Sequence, residues 1–158
     1  MRRLRRCASA TLKIDALLDT NVVIAMLVEA HEHHAPSAAL LTAGAGARYA
    51  VAAHSYAESY AVLTRPGPNG PFRLSPEEAW AALESVAAVT ALVGLSAPQS
   101  FEAIRGYATS GGVGARLYDR LIGEAAVAHG VATIVTWNAR HMRGLFPALR
   151  VVTPADAR

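Results

Sequence analysis

The sequence predicts an α/β domain in three layers, a mostly parallel five-stranded sheet with helices on both faces. Three observations predict it. Short apolar runs alternate along the chain with stretches of helical length, the pattern of βαβ crossovers. The 158 residues are 53% hydrophobic, enough for one compact core and too apolar for a disordered chain. The first such run, Ala16-Leu-Leu-Asp-Thr-Asn-Val-Val-Ile24, rises to a single acid, Asp19, before a second apolar run starts. A strand that ends in a carboxylate and turns into a helix places that acid where open α/β sheets hold ligands.

In order, residues 13–19 read as the first strand, apolar enough to be buried on both faces. Thr20 or Asn21 is expected to cap a helix through Val22, Val23, Met26 and Leu27. After His31-Glu-His-His34, Pro36 marks the first turn of a second helix ending near Gly44. Residues 48–53 form strand two, and Ser55 begins a helix that reaches about Thr64. Pro66-Gly-Pro-Asn-Gly-Pro71 is a loop. Ser75-Pro-Glu-Glu78 combines a cap, a first-turn proline and a reciprocal glutamate, and opens a helix carrying Trp80, Leu83 and Val86. Residues 90–95 are strand three, and Pro98 opens a helix with Phe101, Ile104 and Tyr107 that Gly111-Gly112 stops. A further helix starts at Leu117 or Tyr118 and ends at His129-Gly130, with the glycine in a left-handed cap. Residues 131–136 are strand four and residues 150–152 a short last strand.

The expected organisation is a flexible basic arm over residues 1–12 and a single domain over 13–158, with no internal repeat. The arm begins Met1-Arg-Arg-Leu-Arg-Arg6 but lacks the apolar stretch of a signal peptide. No apolar run approaches the ~20 residues of a membrane span. Cys7 is the only cysteine, which excludes a disulfide framework and thiolate metal sites and points to a reducing cytoplasm. The formal charge is +3, and Lys13 is the one lysine among 15 basic residues. Arginine suits phosphate. That balance permits a nucleic-acid partner without requiring one.

The topology sends scattered polar residues to one edge. Asp19 closes the first strand, Glu58 is expected in the first turn of the helix after strand two, Asp119 lies in the first turn of the helix before strand four, and Asn138 follows strand four. Two carboxylates within ~4 Å repel by ~4 kcal/mol at an effective dielectric of 20. A proton or a cation must offset that, and an oxygen-only donor set favours Mg²⁺ or Mn²⁺. Each position also has an ordinary structural reading. Glu58 completes a Ser55-x-x-Glu58 capping box, Asp119 is a first-turn acid stabilised by the helix dipole, and Asn138 is a turn residue. Asp19 is the exception, because an acid ending a buried strand is costly unless it is bonded or bound.

Leu17-Leu-Asp-Thr-Asn21, Ser55-Tyr-Ala-Glu58, Tyr118-Asp119-Arg-Leu-Ile122 and Thr136-Trp-Asn-Ala-Arg-His141, in that order, resemble a PIN-domain protein, and within that family the VapC-type toxins of bacterial toxin–antitoxin pairs. The resemblance runs from about residue 14 to 152. It implies a metal-dependent ribonuclease, a five-stranded sheet, a homodimer and a cognate antitoxin. The family's acids fall on Asp19, Glu58 and Asp119, the metal ligands and catalytic residues, and its further acid falls on Asn138. A neutral amide ligates a hard cation more weakly than a carboxylate, so the number of ions stays open. Asn21 and Thr136 would support the cluster, and Arg116 and Arg120, which flank Asp119, would receive RNA phosphates unless they are simply solvated.

The competing readings are weaker. An aspartyl-nucleophile phosphatase also begins with a strand ending in Asp, but needs a second Asp where Asn21 stands and a lysine at the rim. Gly111-Gly-Val-Gly114 follows no strand, which excludes a dinucleotide fingerprint and leaves a turn into the Asp119 helix. His31, His33 and His34 lack the cysteine partners and helical spacing of a zinc site. His129 reads as a helix C-terminal residue, and His141 as structural first, with an approach to the rim as its other reading. The rival to an enzyme is a catalytically degenerate PIN-like module that binds RNA or a partner. Asn138 favours it, and three clustered carboxylates oppose it, since they repel phosphates.

Overall fold

The computed structural model describes residues 13–43, 46–67 and 70–157. The expected basic arm over residues 1–12, and Cys7 with it, lies outside the described residues. The chain alternates as predicted. β1 (Ala16–Leu18) is followed by α1 (Thr20–Leu27) and α2 (His34–Ala43), then β2 (Tyr49–Ala52), α3 (Ala53–Leu63) and α4 (Pro76–Ala87). β3 (Ala91–Val93), α5 (Ala97–Thr109), α6 (Arg116–Ala128), β4 (Thr133–Val135), α7 (Ala139–Leu145) and β5 (Arg150–Val152) complete it.

The strands form one sheet in the order β3-β2-β1-β4-β5, and every pairing is parallel. The order reverses direction between β1 and β4. That junction is the topological switch point of the sheet, where the following helices leave to opposite faces and open a crevice at the strand carboxyl ends.

Alternation along the strands divides the core in two. Ala16, Leu18, Tyr49, Val51 and Val135 face α1, α2 and α4 through Val22, Val23, Met26, Leu40, Leu83 and Val86. Leu17, Ala50, Ala52, Ile134 and Val151 face α6 and α7 through Ile122, Ala125, Ala126 and Met142. A strand buried on both faces is apolar throughout, which is why β1 reads as an unbroken run. The three-layer α/β/α prediction holds.

Local signals account for the helix ends that were predicted correctly. Ser75 caps α4: its Oγ accepts from the Glu78 N–H at 3.1 Å, and Glu78 Oε2 accepts from the Ser75 N–H at 2.8 Å. Gly130 ends α6 at φ 65, with the Val131 N–H donating to Ala126 O at 2.9 Å and its own N–H to Val127 O at 3.1 Å. That pair is a Schellman closure, which a side chain at Gly130 would strain.

Three expectations are corrected. α1 starts at Thr20 with Asp19 as its N-cap residue, so neither Thr20 nor Asn21 caps it. α3 starts at Ala53 directly from β2, which leaves Ser55 inside the helix and buried, with no capping box to Glu58. α7 was not foreseen. A parallel β4–β5 pairing needs a crossover, and the seven residues of α7 supply it by burying Ala139 and Met142 on one face.

The register of α6 depends on a close contact. Gly123 lies against the Phe146 ring, and a Cβ there would stand 1.9 Å from Phe146 Cε2. Phe146 is itself buried. Replacing a mid-helix glycine with alanine ordinarily stabilises by ~0.5–1 kcal/mol, but Gly123→Ala is expected to cost ~1–3 kcal/mol through overpacking. The urea midpoint reads the sign, and an unchanged or raised midpoint would show that the ring gives way freely.

Candidate active site

Asp19 emerges from β1 at the switch point and is only 2% exposed. Its backbone N–H continues the ladder to Val135 O at 3.0 Å. Its Oδ2 accepts from the Thr136 hydroxyl at 2.5 Å and from Asn21 Nδ2 at 2.7 Å. The Thr136 oxygen in turn accepts from the Asn138 N–H at 2.9 Å and from Asn21 Nδ2 at 3.1 Å. Asn21 Oδ1 accepts the Trp137 N–H at 3.0 Å. One donor and two acceptor sites exhaust the Thr136 hydroxyl. These bonds sew the end of β1 to the end of β4.

Burial pushes the Asp19 carboxyl up from 3.8 to about 6, with Asp119 and Glu58 adding repulsion and the Thr136 hydroxyl and Thr20 amide offsetting part of it. Glu58 is half-buried and its Oε2 accepts from the Thr20 hydroxyl at 2.7 Å. Burial raises its carboxyl too, against the Thr20 hydrogen bond, and Asp119 pushes further the same way. Asp119 lies in the first turn of α6. Burial raises it, while His141, Arg116 and the Asn138 side chain pull it down. Asn138 Nδ2 donates to Asp119 Oδ2 at 3.4 Å, and His141 Nε2 stands 3.3 Å from the same oxygen.

The structure therefore brings Asp19, Glu58, Asp119, Asn138, Asn21 and Thr136 to one rim, as the topology required. The helix dipole favours only Asp119, because Glu58 lies beyond the first turn of α3. Arg116 joins the rim. With Asn138, Arg140, His141, Gly144 and Leu145 it lines an open cavity of ≈ 520 Å³ beside Asp119. Arg120 does not join it: its guanidinium pairs with Glu124 at 2.6 Å and lies 5.3 Å from the Phe146 ring centroid.

Sequence reasoning missed two residues, Thr20 and Arg140. Thr20 was read as a cap, although the sequence places it directly beside the acid. His141 takes the second of its two readings and reaches the rim at Asp119, and Arg140 carries no signal until α7 is known to be a helix. His129 is the C-cap of α6, and its ring Nε2 lies 2.9 Å from Gly94 O. His34 Nδ1 meets Ala25 O at 3.1 Å, and among the described residues no three acidic, imidazole or thiol groups form a closed metal cage.

The donor set at the rim nevertheless fits a hard divalent cation. It offers carboxylate and amide oxygens, and the positive groups that oppose it, Arg116 and His141, act on Asp119. Among the described residues no basic side chain forms an ion pair with Asp19 or Glu58. A cation between the acids would offset both their repulsion and the desolvation of Asp19.

The family model described as the PIN domain matches residues 16–143. Among solved structures, the sarcin-ricin loop cleaving toxin VapC20 of Mycobacterium tuberculosis is similar at a TM-score of 0.60 and 16% identity, covering 75% of this chain and 86% of that one. DNA-bound VapBC from Salmonella typhimurium aligns at 0.61 and 22% identity, over 90% of this chain and 99% of that one. VapBC-1 from nontypeable Haemophilus influenzae aligns at 0.61 and 14%, over 89% and 98%. At these identities the likeness is one of fold. No curated protein sequence matches.

The raised Asp19 carboxyl has a consequence for stability. Between about pH 4 and 6 the folded protein keeps a proton that the unfolded chain has released, so its stability falls as pH rises through that window. A shift of about two units corresponds to ~3 kcal/mol. Denaturant midpoints of the metal-free protein are expected to drop between pH 4.5 and 7.5, and Asp19→Asn should remove most of the drop. A parent profile that is flat over this range would contradict the buried, underpaired carboxylate.

Proposed function

This chain belongs to the PIN-domain family, and from that premise we propose that it is a metal-dependent ribonuclease, the toxin of a toxin–antitoxin pair acting in the cytoplasm. The observation that carries the reading is the gathering of Asp19, Glu58 and Asp119 at the switch point beside a cavity lined by Arg116 and Arg140. Acids alone repel RNA. Acids that can be neutralised by a cation, next to arginines that receive phosphates, suit a nuclease.

In this reading Asp19 and Asp119 hold Mg²⁺ or Mn²⁺, directly or through water, with Glu58 as the third ligand or as the group that orients the attacking water. When bound, the ion supplies Lewis acidity and neutralises charge that develops on the phosphate. Thr136 and Asn21 fix the Asp19 carboxylate, and the Thr20 hydroxyl fixes Glu58. Glu58, its carboxyl raised from its ordinary value by burial, is suited to take a proton from the attacking water. Asn138 orients Asp119 rather than adding charge. Arg116 and Arg140 place the strand so that attack on phosphorus expels a ribose oxygen. A purely binding module is favoured only by the neutral Asn138, and the underpaired carboxylates weigh against it.

A cognate antitoxin and a second copy of the chain complete the reading, and the VapBC neighbours support the first. Protein association needs open apolar surface. Val22 and Met26 of α1 are spent in the core, whereas Trp80 on α4 and Leu92 on β3 are 61% and 69% exposed. Among the described residues no helix is long and apolar enough to cross a membrane.

Purified protein is expected to cut RNA with Mg²⁺ or Mn²⁺ and to stop with chelator. Asp19→Asn and Asp119→Asn should each lower the rate at least ~10²-fold, the scale of losing a site that stabilises transition-state charge, while circular dichroism stays native. Full activity in either variant, or cleavage in chelator, would refute the assignment. A milder loss, ~10-fold, is expected of Thr20→Val, which releases Glu58.

A further inference from the structure

We propose that the corner where α1 meets α2 is a stacking subsite for one unpaired nucleobase of the RNA, beside the acidic cluster; the proposal rests on the ribonuclease reading. Four rings meet there from three stretches of chain. Trp137 directly follows Thr136, whose hydroxyl holds Asp19. Its N–H is fixed by Asn21 Oδ1 at 3.0 Å, and its indole Nε1–H donates to Ser37 Oγ at 3.0 Å. The His33 ring lies flat on the indole, with centroids 3.9 Å apart and planes 16° from parallel. His31 stands 5.6 Å from His33, and Phe72 stands 6.4 Å from His31.

The arrangement is pre-oriented. His31 Nδ1 accepts the His33 N–H at 3.1 Å, which settles the placing of both histidines. Phe72 is held from either side, where the Leu74 N–H reaches Leu63 O at 2.9 Å and Arg73 Nε reaches Gly70 O at 3.2 Å. A Cβ at Gly70 would meet Arg65 O at 1.8 Å, and Arg73 holds φ at 54, a left-handed value that non-glycine residues seldom adopt. Trp137 and Phe72 pack partly against the core, whereas the His33 side chain is 36% exposed. The His33 imidazole is stacked on Trp137 and keeps part of its surface exposed, and the segment that brings in Phe72 also carries the exposed Arg73; aromatic and basic groups so combined are what single-stranded nucleic acid uses. Glu32 lies 3.8 Å from His33 Nε2, so a base rather than a phosphate faces the imidazole, and the backbone runs on the Arg73 side. Bases in a duplex are already stacked and cannot present a face, so the bound nucleotide is unpaired.

The test measures binding in chelator, by fluorescence anisotropy of a labelled unstructured RNA 12-mer, so that nothing is cut. His33→Ala is expected to weaken binding about tenfold, the effect of losing one base stack, and His33→Phe to stay within about twofold of the parent. The parent should bind the same oligomer less tightly when abasic sites replace its bases or when it is duplexed. Parent-like affinity of His33→Ala, indifference to abasic sites, or equal losses in both His33 variants would overturn the subsite. Cleavage by the parent with Mg²⁺ is scored separately. Binding that depends on His33 without any cleavage refutes the nuclease reading alone, and cleavage with His33-independent binding refutes the subsite alone.

Discussion

The contact between the Thr136 hydroxyl and the Asp19 carboxylate ties the two halves of this molecule together at the point where its sheet changes direction. β1 and β4 are neighbours that send their following helices to opposite faces and so open a crevice between them. The side chains of Asp19, Asn21 and Thr136 bridge it, with the Thr136 hydroxyl donating once and accepting twice. Such a network costs little while complete and a great deal when one member is missing, because a carboxylate that is 2% exposed has no water to fall back on.

The other acids depend on that anchor in different ways. Glu58 reaches the site through Thr20, the residue after Asp19, so the turn that exposes one carboxylate also supplies the hydroxyl that steers the next. Asp119 arrives on a helix whose seat against the sheet is set by Ile122, Gly123, Ala125 and Ala126, where the Phe146 ring fits only because position 123 has no side chain. α7 contributes Asn138 at its N-cap and His141 one turn later, both directed at Asp119. The charge balance across the cluster is uneven as a result. Asp119 has positive company, while Asp19 and Glu58 have only hydroxyl and amide donors.

Much of this was legible in the residues. An unbroken apolar strand ending in one acid places Asp19 at a sheet edge, and alternation of strand and helix places Glu58, Asp119 and Asn138 on the same edge. What failed was local. Ser55-x-x-Glu58 has the letters of a capping box, but β2 passes straight into a helix at Ala53, so the serine never stands at a helix end. Arg116 lies three residues before Asp119 and Arg120 directly after it. One helical turn keeps Arg116 beside Asp119, whereas Arg120 has Glu124 one turn away to pair with. Arg140 and His141 were undervalued because α7 has seven residues and a glycine within it, too short for periodicity to register.

The layering, the parallel sense of the sheet and the edge on which the acids lie follow from the residues alone, because hydrophobic period and alternation of elements are properties of the chain. Which donors each acid receives, which arginines face the crevice and how Trp137, His33, His31 and Phe72 come to be stacked emerge once distant elements meet in the fold. Those pairings join residues up to 117 positions apart. Hydrogen bonds and ring contacts are set by the meeting of side chains from different elements, and no local pattern encodes that meeting.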